Sequence, residues 1–110
     1  MNPLREYAEH WLTSTAVRLN NPRDHRLNTD WISDIEGGRP GFSAQLRQVA
    51  LDALNSDDRV WTQKGIAALA VVGQVEDLVA LAACRSRAGS DVASSARTAM
   101  FEIEHRAPAS

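Results

Sequence analysis

The chain has 110 residues, room for one domain with one modest core, and its 44% hydrophobic and 24% charged side chains lie outside the composition of disordered chains. With 14 acidic and 12 basic side chains the formal charge is -2, which supplies no global field to gather nucleic acid or an anionic membrane. Cys84 is the only cysteine, so no intrachain disulfide can form, and its apolar neighbours Leu81-Ala82-Ala83 suit a small buried thiol in a reducing compartment.

Met1 to Asn20 carries Arg5, Glu6, Glu9 and Arg18 without a continuous apolar run, so no signal peptide is expected. The apolar run Gly65 to Gly73 is too short to cross a bilayer, and a cytoplasmic location follows as the default expectation.

At the start of the chain, Asn2 and Pro3 form a helix entry, with a capping side chain before a residue whose missing N–H costs nothing. Leu4, Ala8, Trp11, Leu12, Thr15, Ala16 and Leu19 fall at spacings of three and four, which predicts a helix over 3–19. Asn20-Asn21-Pro22 reads as its stop, because proline breaks the hydrogen-bond ladder. The polar stretch 23–28 reads as a loop. A short helix is expected over 30–36, bringing Leu27, Trp31, Ile32 and Ile35 to one side before Gly37-Gly38-Arg39-Pro40-Gly41 interrupts the chain.

Beyond Gly41 the pattern is regular. Phe42, Leu46, Val49, Ala50, Ala53 and Leu54 mark a third helix with Ser43 as its cap. Ser56 is expected to cap the fourth, with Asp57 and Asp58 in its first turn and Val60, Trp61, Gly65, Ala68, Leu69 and Val72 on one face, ending at Gly73. A fifth helix runs from Val75 to about Arg85, with Glu76 and Asp77 at its start. The sixth uses Val92, Ala96, Ala99, Met100 and Ile103. Strand-like alternation is absent.

Superposing Trp61 on Val92 aligns Gly65 with Ala96, Ala68 with Ala99, Leu69 with Met100 and Val72 with Ile103, all at an interval of 31 residues. At these positions the chain resembles the short HEAT-like helical repeat family. That resemblance implies an all-α fold, a short right-handed stack of antiparallel helix pairs forming an α–α superhelix. One domain over 1–110 would then divide into an irregular N-terminal helical cap at 1–41, two pairs at 42–105 and a frayed tail at 106–110. Two departures from the family are the bulky Trp61 and Glu104, which stands where Gly73 predicts glycine.

No arrangement of residues points to catalysis, a metal or a cofactor. His10, His25 and His105 lack ligand-like spacing, Glu6 with His10 is a lone pair four apart, and Asp30 with Asp34 is explained by capping and solvation. The glycine-rich segment 37–41 lacks the Lys-Ser/Thr of a phosphate loop, and no serine sits in a nucleophile elbow.

A non-enzymatic protein-binding module is therefore expected. Its candidate contact residues are Trp31, Asp34, Glu36, Asp57, Asp58, Trp61, Glu76 and Asp77, in which acids at successive helix starts would form an edge for a basic partner. A small all-helical chain of this kind looks like some bacterial immunity proteins that neutralise a cognate toxin, for instance a basic nuclease domain. The alternatives are a HEAT-like adaptor or regulatory scaffold subunit for another cytoplasmic protein and, ranked below it, a nucleic-acid-binding protein. Neither a membrane nor a nucleic acid is the expected partner.

Overall fold

The computed structural model describes residues 2–15, 17–87 and 89–106. Ala16, placed on the first helical face by its spacing, and the tail at 107–110 lie outside them. Among the described residues the chain forms helices and no strand: α1 (Pro3–Ser14), α2 (Pro22–Gly38), α3 (Phe42–Ala53), α4 (Arg59–Val72), a 3-10 turn (Val75–Asp77), α5 (Leu78–Arg87) and α6 (Ser90–Arg106).

Asn2 caps α1 by accepting from the Arg5 amide at 3.2 Å, and Pro3 opens the helix as the sequence indicates. The end differs. α1 stops at Ser14 rather than 19, in a Thr-Ser-Thr run where the Thr13 hydroxyl donates to the Glu9 carbonyl (2.8 Å) and short polar side chains compete with the helical ladder. Thr15 is extended, and residues 17–19 are not helical yet bury both Val17 and Leu19, so their burial did not require a helix.

Asn21-Pro22 opens α2 rather than closing α1. The Asn21 side chain accepts from the Asp24 amide (3.0 Å) and Pro22 takes the first helical position, repeating the device of Asn2-Pro3. Helix α2 then covers both the expected loop at 23–28 and the expected short helix at 30–36. Its buried stripe is Asp24, Asn28 and Ile32. The two polar members hold the segment 17–20 in place: Asp24 accepts from the Asn20 amide (3.0 Å), and the Asn28 amide donates to the Arg18 carbonyl (2.8 Å). A half-polar inner face gives no apolar period, so the sequence hides this helix. Ile32 and Ile35 face the core as expected, whereas Leu27 and Trp31 are exposed.

Helix α3 starts one residue before its expected cap. Gly41 is the N-cap at φ 95°, a left-handed conformation that favours glycine, and no side chain of the cap residue bonds to the helix. The Glu36 carboxylate fills that role, accepting from the Gly41 amide (2.7 Å) and the Ser43 amide (2.8 Å). Buried Phe42 meets Tyr7 and Trp11 edge-on at 5.8 and 5.6 Å, joining α1 to α3, and Arg39 covers the Tyr7 ring at 4.1 Å.

The cap of α4 is Asp58, two residues after the expected Ser56. Asp58 Oδ1 accepts from the Val60 and Trp61 amides, while Ser56 Oγ accepts from the Asp58 amide. Every residue from Gly65 to Ala70 is buried. A helix buried on all sides lies at the centre of its fold, and α4 packs against α1, α2, α3 and α6. Gly65 marks the tightest crossing: a Cβ there would stand 2.8 Å from the Ala53 Cβ and 2.9 Å from the Ala50 carbonyl oxygen.

The second pair, α5 and α6, packs side by side and joins the first mainly through α4 and α6. The radius of gyration is 12.9 Å, matching the ~13 Å of a compact globule of about this length.

Candidate functional site

The candidate contact residues divide into those the fold uses and those it leaves open. Glu36 is engaged at the start of α3, and the amides of Ser43 and then Gly41 hold its carboxyl below the usual range. Asp58 caps α4. Asp77 is buried and takes a bidentate fork from Arg47, with Nε to Oδ2 and Nη2 to Oδ1 both at 2.7 Å, while also accepting from the Gln74 amide. The Arg47 guanidinium is the main reason that the Asp77 carboxyl titrates below its ordinary value. Glu76 accepts a third bond from Arg47 at 3.2 Å but stays exposed.

Asp57 and Asp58 precede α4, and Glu76 and Asp77 follow it. The 14 residues of α4 place about 21 Å of helix between the two groups. They therefore stand at opposite ends of the central helix. Trp61 is half-buried against the core, while Trp31 is exposed.

Arginines make most of the long-range polar links. Arg59 at the start of α4 donates to Asp91 at the start of α6, joined there by Gln63 at 3.2 Å; hydrogen bonding from Arg59 lowers the Asp91 pKa. Arg106 at the end of α6 donates to the carbonyls of Ala70 (2.6 Å) and Gly73 (2.8 Å) at the end of α4. Arg87 at the end of α5 reaches the Leu54 carbonyl at the end of α3 (2.8 Å). Like ends are thus tied to like ends across the two pairs, so α4 runs parallel to α6 and α3 to α5. The arginines satisfy helix-end carbonyls and carboxylates that would otherwise lack partners.

What remains open is apolar and acidic. Val75 (55% exposed) and Val79 (77%) lie four apart on the outer side of the 3-10 turn and α5, with Glu76 beside them. Leu27 and Trp31, also four apart, lie on the outer side of α2 next to Asp30 and Asp34. Asp30, Asp34 and Asp57 form no ion pair with any described residue. The sequence reading missed Leu27, Val75 and Val79. Their signal was present as aliphatic residues on the polar side of each helix.

A groove of about 510 Å³ lies between the entry to α2, from Leu19 to His25, and α6, lined by Ser94, Ser95, Thr98 and Phe101 among others. At its wall His25 Nε2 lies 3.1 Å from Glu102 Oε2, pinning the first turn of α2 to α6. Among the described residues no group of three or more His, Cys, Asp or Glu side chains is placed to hold a metal ion, and no helix is long and apolar enough to cross a membrane.

No family model, curated protein or solved structure matches the chain.

Proposed function

We propose that this chain is a non-enzymatic protein-binding module of the short HEAT-like type, acting as an inhibitor that neutralises a cognate toxin in the manner of an immunity protein. The observation that carries the protein-binding reading is the Val75–Val79 pair beside Glu76. Valines this exposed, on one side of the terminal helix pair, oppose the burial that drives folding, and they become favourable when another protein covers them. Glu76 adds a carboxylate at the rim, where it would steer a basic partner such as a nuclease domain. The internal support is consistent with this role, because the Arg47–Asp77 fork holds the start of α5 against α3 and presents the stripe on a rigid base.

The parallel placement of α4 with α6 and the 31-residue echo support the repeat reading. They support an adaptor or scaffold subunit equally, and what separates the two is the consequence of binding: an inhibitor abolishes its partner's activity at one-to-one stoichiometry, whereas an adaptor leaves it intact.

The test is co-purification with, and inhibition of, the product of a neighbouring gene. Val79→Arg, at an exposed position, should weaken the complex while leaving the melting temperature unchanged, and Glu76→Lys should weaken it too, with a small fall in melting temperature from the lost bond to Arg47. A complex indifferent to both substitutions would remove the α5 face from the reading.

A further inference from the structure

Helix α2 carries an ordered series of open charges. Arg23 and Arg26 occupy its first half, Asp30 and Asp34 its second, and Leu27 and Trp31 lie between and beside them. All six side chains are exposed, and none of the four charged ones pairs with a described residue. The opposite face, Asp24, Asn28 and Ile32, is buried against the rest of the fold. At 100° per residue Arg23, Leu27, Asp30 and Asp34 form one outward line, with Trp31 on one flank and Arg26 on the other.

Such a series is complementary to itself when reversed. We infer that this face binds a second copy of the chain, through antiparallel pairing of two α2 helices about a two-fold axis midway between positions 28 and 29. Arg23 of each copy then meets Asp34 of the other, and Arg26 meets Asp30. Leu27 packs on Trp31 across the axis. Each contact occurs twice by symmetry, and the apolar pair closes over the centre. A single-signed partner satisfies only half of the charges, whereas a second copy satisfies all four. Gly37 and Gly38 leave open space at the end of the helix, so no side chain there holds the copies apart.

The contact is small. A helix of 17 residues offers about 25 Å of length, which places the interface below the size of permanent dimers and predicts self-association at roughly tens of micromolar. This inference concerns a different helix from the α5 face and stands or falls without it.

Sedimentation velocity from about 5 to about 500 µM protein spans the expected range. The wild type should pass from monomer to dimer, and raising salt to about 0.5 M should weaken the dimer. R23D sets carboxylate against carboxylate at both ends and should weaken association about tenfold or more; D34R should do the same with two cations. The double variant R23D/D34R restores the complementarity in reverse and should recover the dimer to within about threefold of wild type. Circular dichroism melts check that these exposed substitutions leave the fold intact. With ¹⁵N-labelled protein, the Trp31 indole signal should move with concentration while those of Trp11 and Trp61 stay fixed. A monomer throughout the range, single reversals without effect, or a double variant that fails to recover would each overturn the proposal, as would Trp31 protection only by a different co-expressed protein.

Discussion

Replacing Gly65 by alanine adds one methyl group at the closest approach of α3 and α4. The new Cβ would lie 2.8 Å from the Ala53 Cβ and 2.9 Å from the Ala50 carbonyl oxygen, whereas carbon atoms in good contact stand about 3.5 to 4.0 Å apart. Neither obstacle can rotate away, since one is the first side-chain atom and the other is backbone. The helices must separate by roughly 0.6 Å or more, and α4 has α2 and α6 packed against it, so the shift spreads through the core. Overpacking of this kind costs about 1 to 3 kcal/mol, and the better helix propensity of alanine returns about 1 kcal/mol. A contact with fixed backbone belongs toward the upper part of that range, leaving a net loss of about 1 to 2 kcal/mol. For a chain of this length the melting temperature should fall by about 4 to 8 °C. Gly37 is the control: it is also helical but has nothing within 4 Å of an added Cβ, so Gly37→Ala should stabilise by about 0.5 to 1 kcal/mol. Thermal and urea unfolding followed by circular dichroism measure both. A Gly65→Ala variant that melts at or above wild type would refute the tight α3–α4 crossing.

Asp58→Ala removes the side chain that accepts from the Val60 and Trp61 amides and should cost about 1 kcal/mol in urea unfolding, while Asp57→Ala, one residue earlier and exposed, should be close to neutral; equal effects would mean the cap is misassigned. Asp77→Asn weakens the fork from Arg47 and should destabilise by about 1 to 2 kcal/mol at neutral pH. Because the folded Asp77 pKa is lowered, its contribution is complete above the unfolded value of about 3.9 and disappears as pH falls through the lower folded value. The stability gap between wild type and Asp77→Asn should therefore close on acidification, as read by urea unfolding at successive pH values; a gap that stays constant below the unfolded value would exclude the ionised pair.

The legible parts of this fold were those in which one signal had one reading. From α3 to α6 small and aliphatic residues recur at helical spacing, and the echo between Gly65 and Ala96 or Ala68 and Ala99 reflects positions buried in both helices. The N-terminal third was harder because its signals had two readings each. Pro22 ends a helix when read forward from α1 and starts one when read with Asn21; the pattern at Asn2-Pro3 was the better guide. Leu19 fits the helical face of Leu4, Ala8 and Leu12 whereas Val17 lies off it, and the two are buried together because 17–19 is not helical.

The acids show why a contact surface is harder to read than a fold. A carboxylate near a helix start looks the same in sequence whether it caps its own helix, as Asp58 does, caps another, as Glu36 does for α3, or faces solvent, as Asp34 does. The discriminating quantity is the position of the nearest arginine or free amide in space, and Arg47 lies 30 residues before Asp77. Hydrophobic side chains carry a cleaner signal. On α2 the buried stripe is defined by two polar residues that hold the 17–20 segment, so Leu27 and Trp31, at other positions on the same helix, have no internal duty. If the chain binds another protein, exposed apolar pairs with charges beside them are therefore better candidates for the contact than its acidic helix starts, most of which already serve the fold.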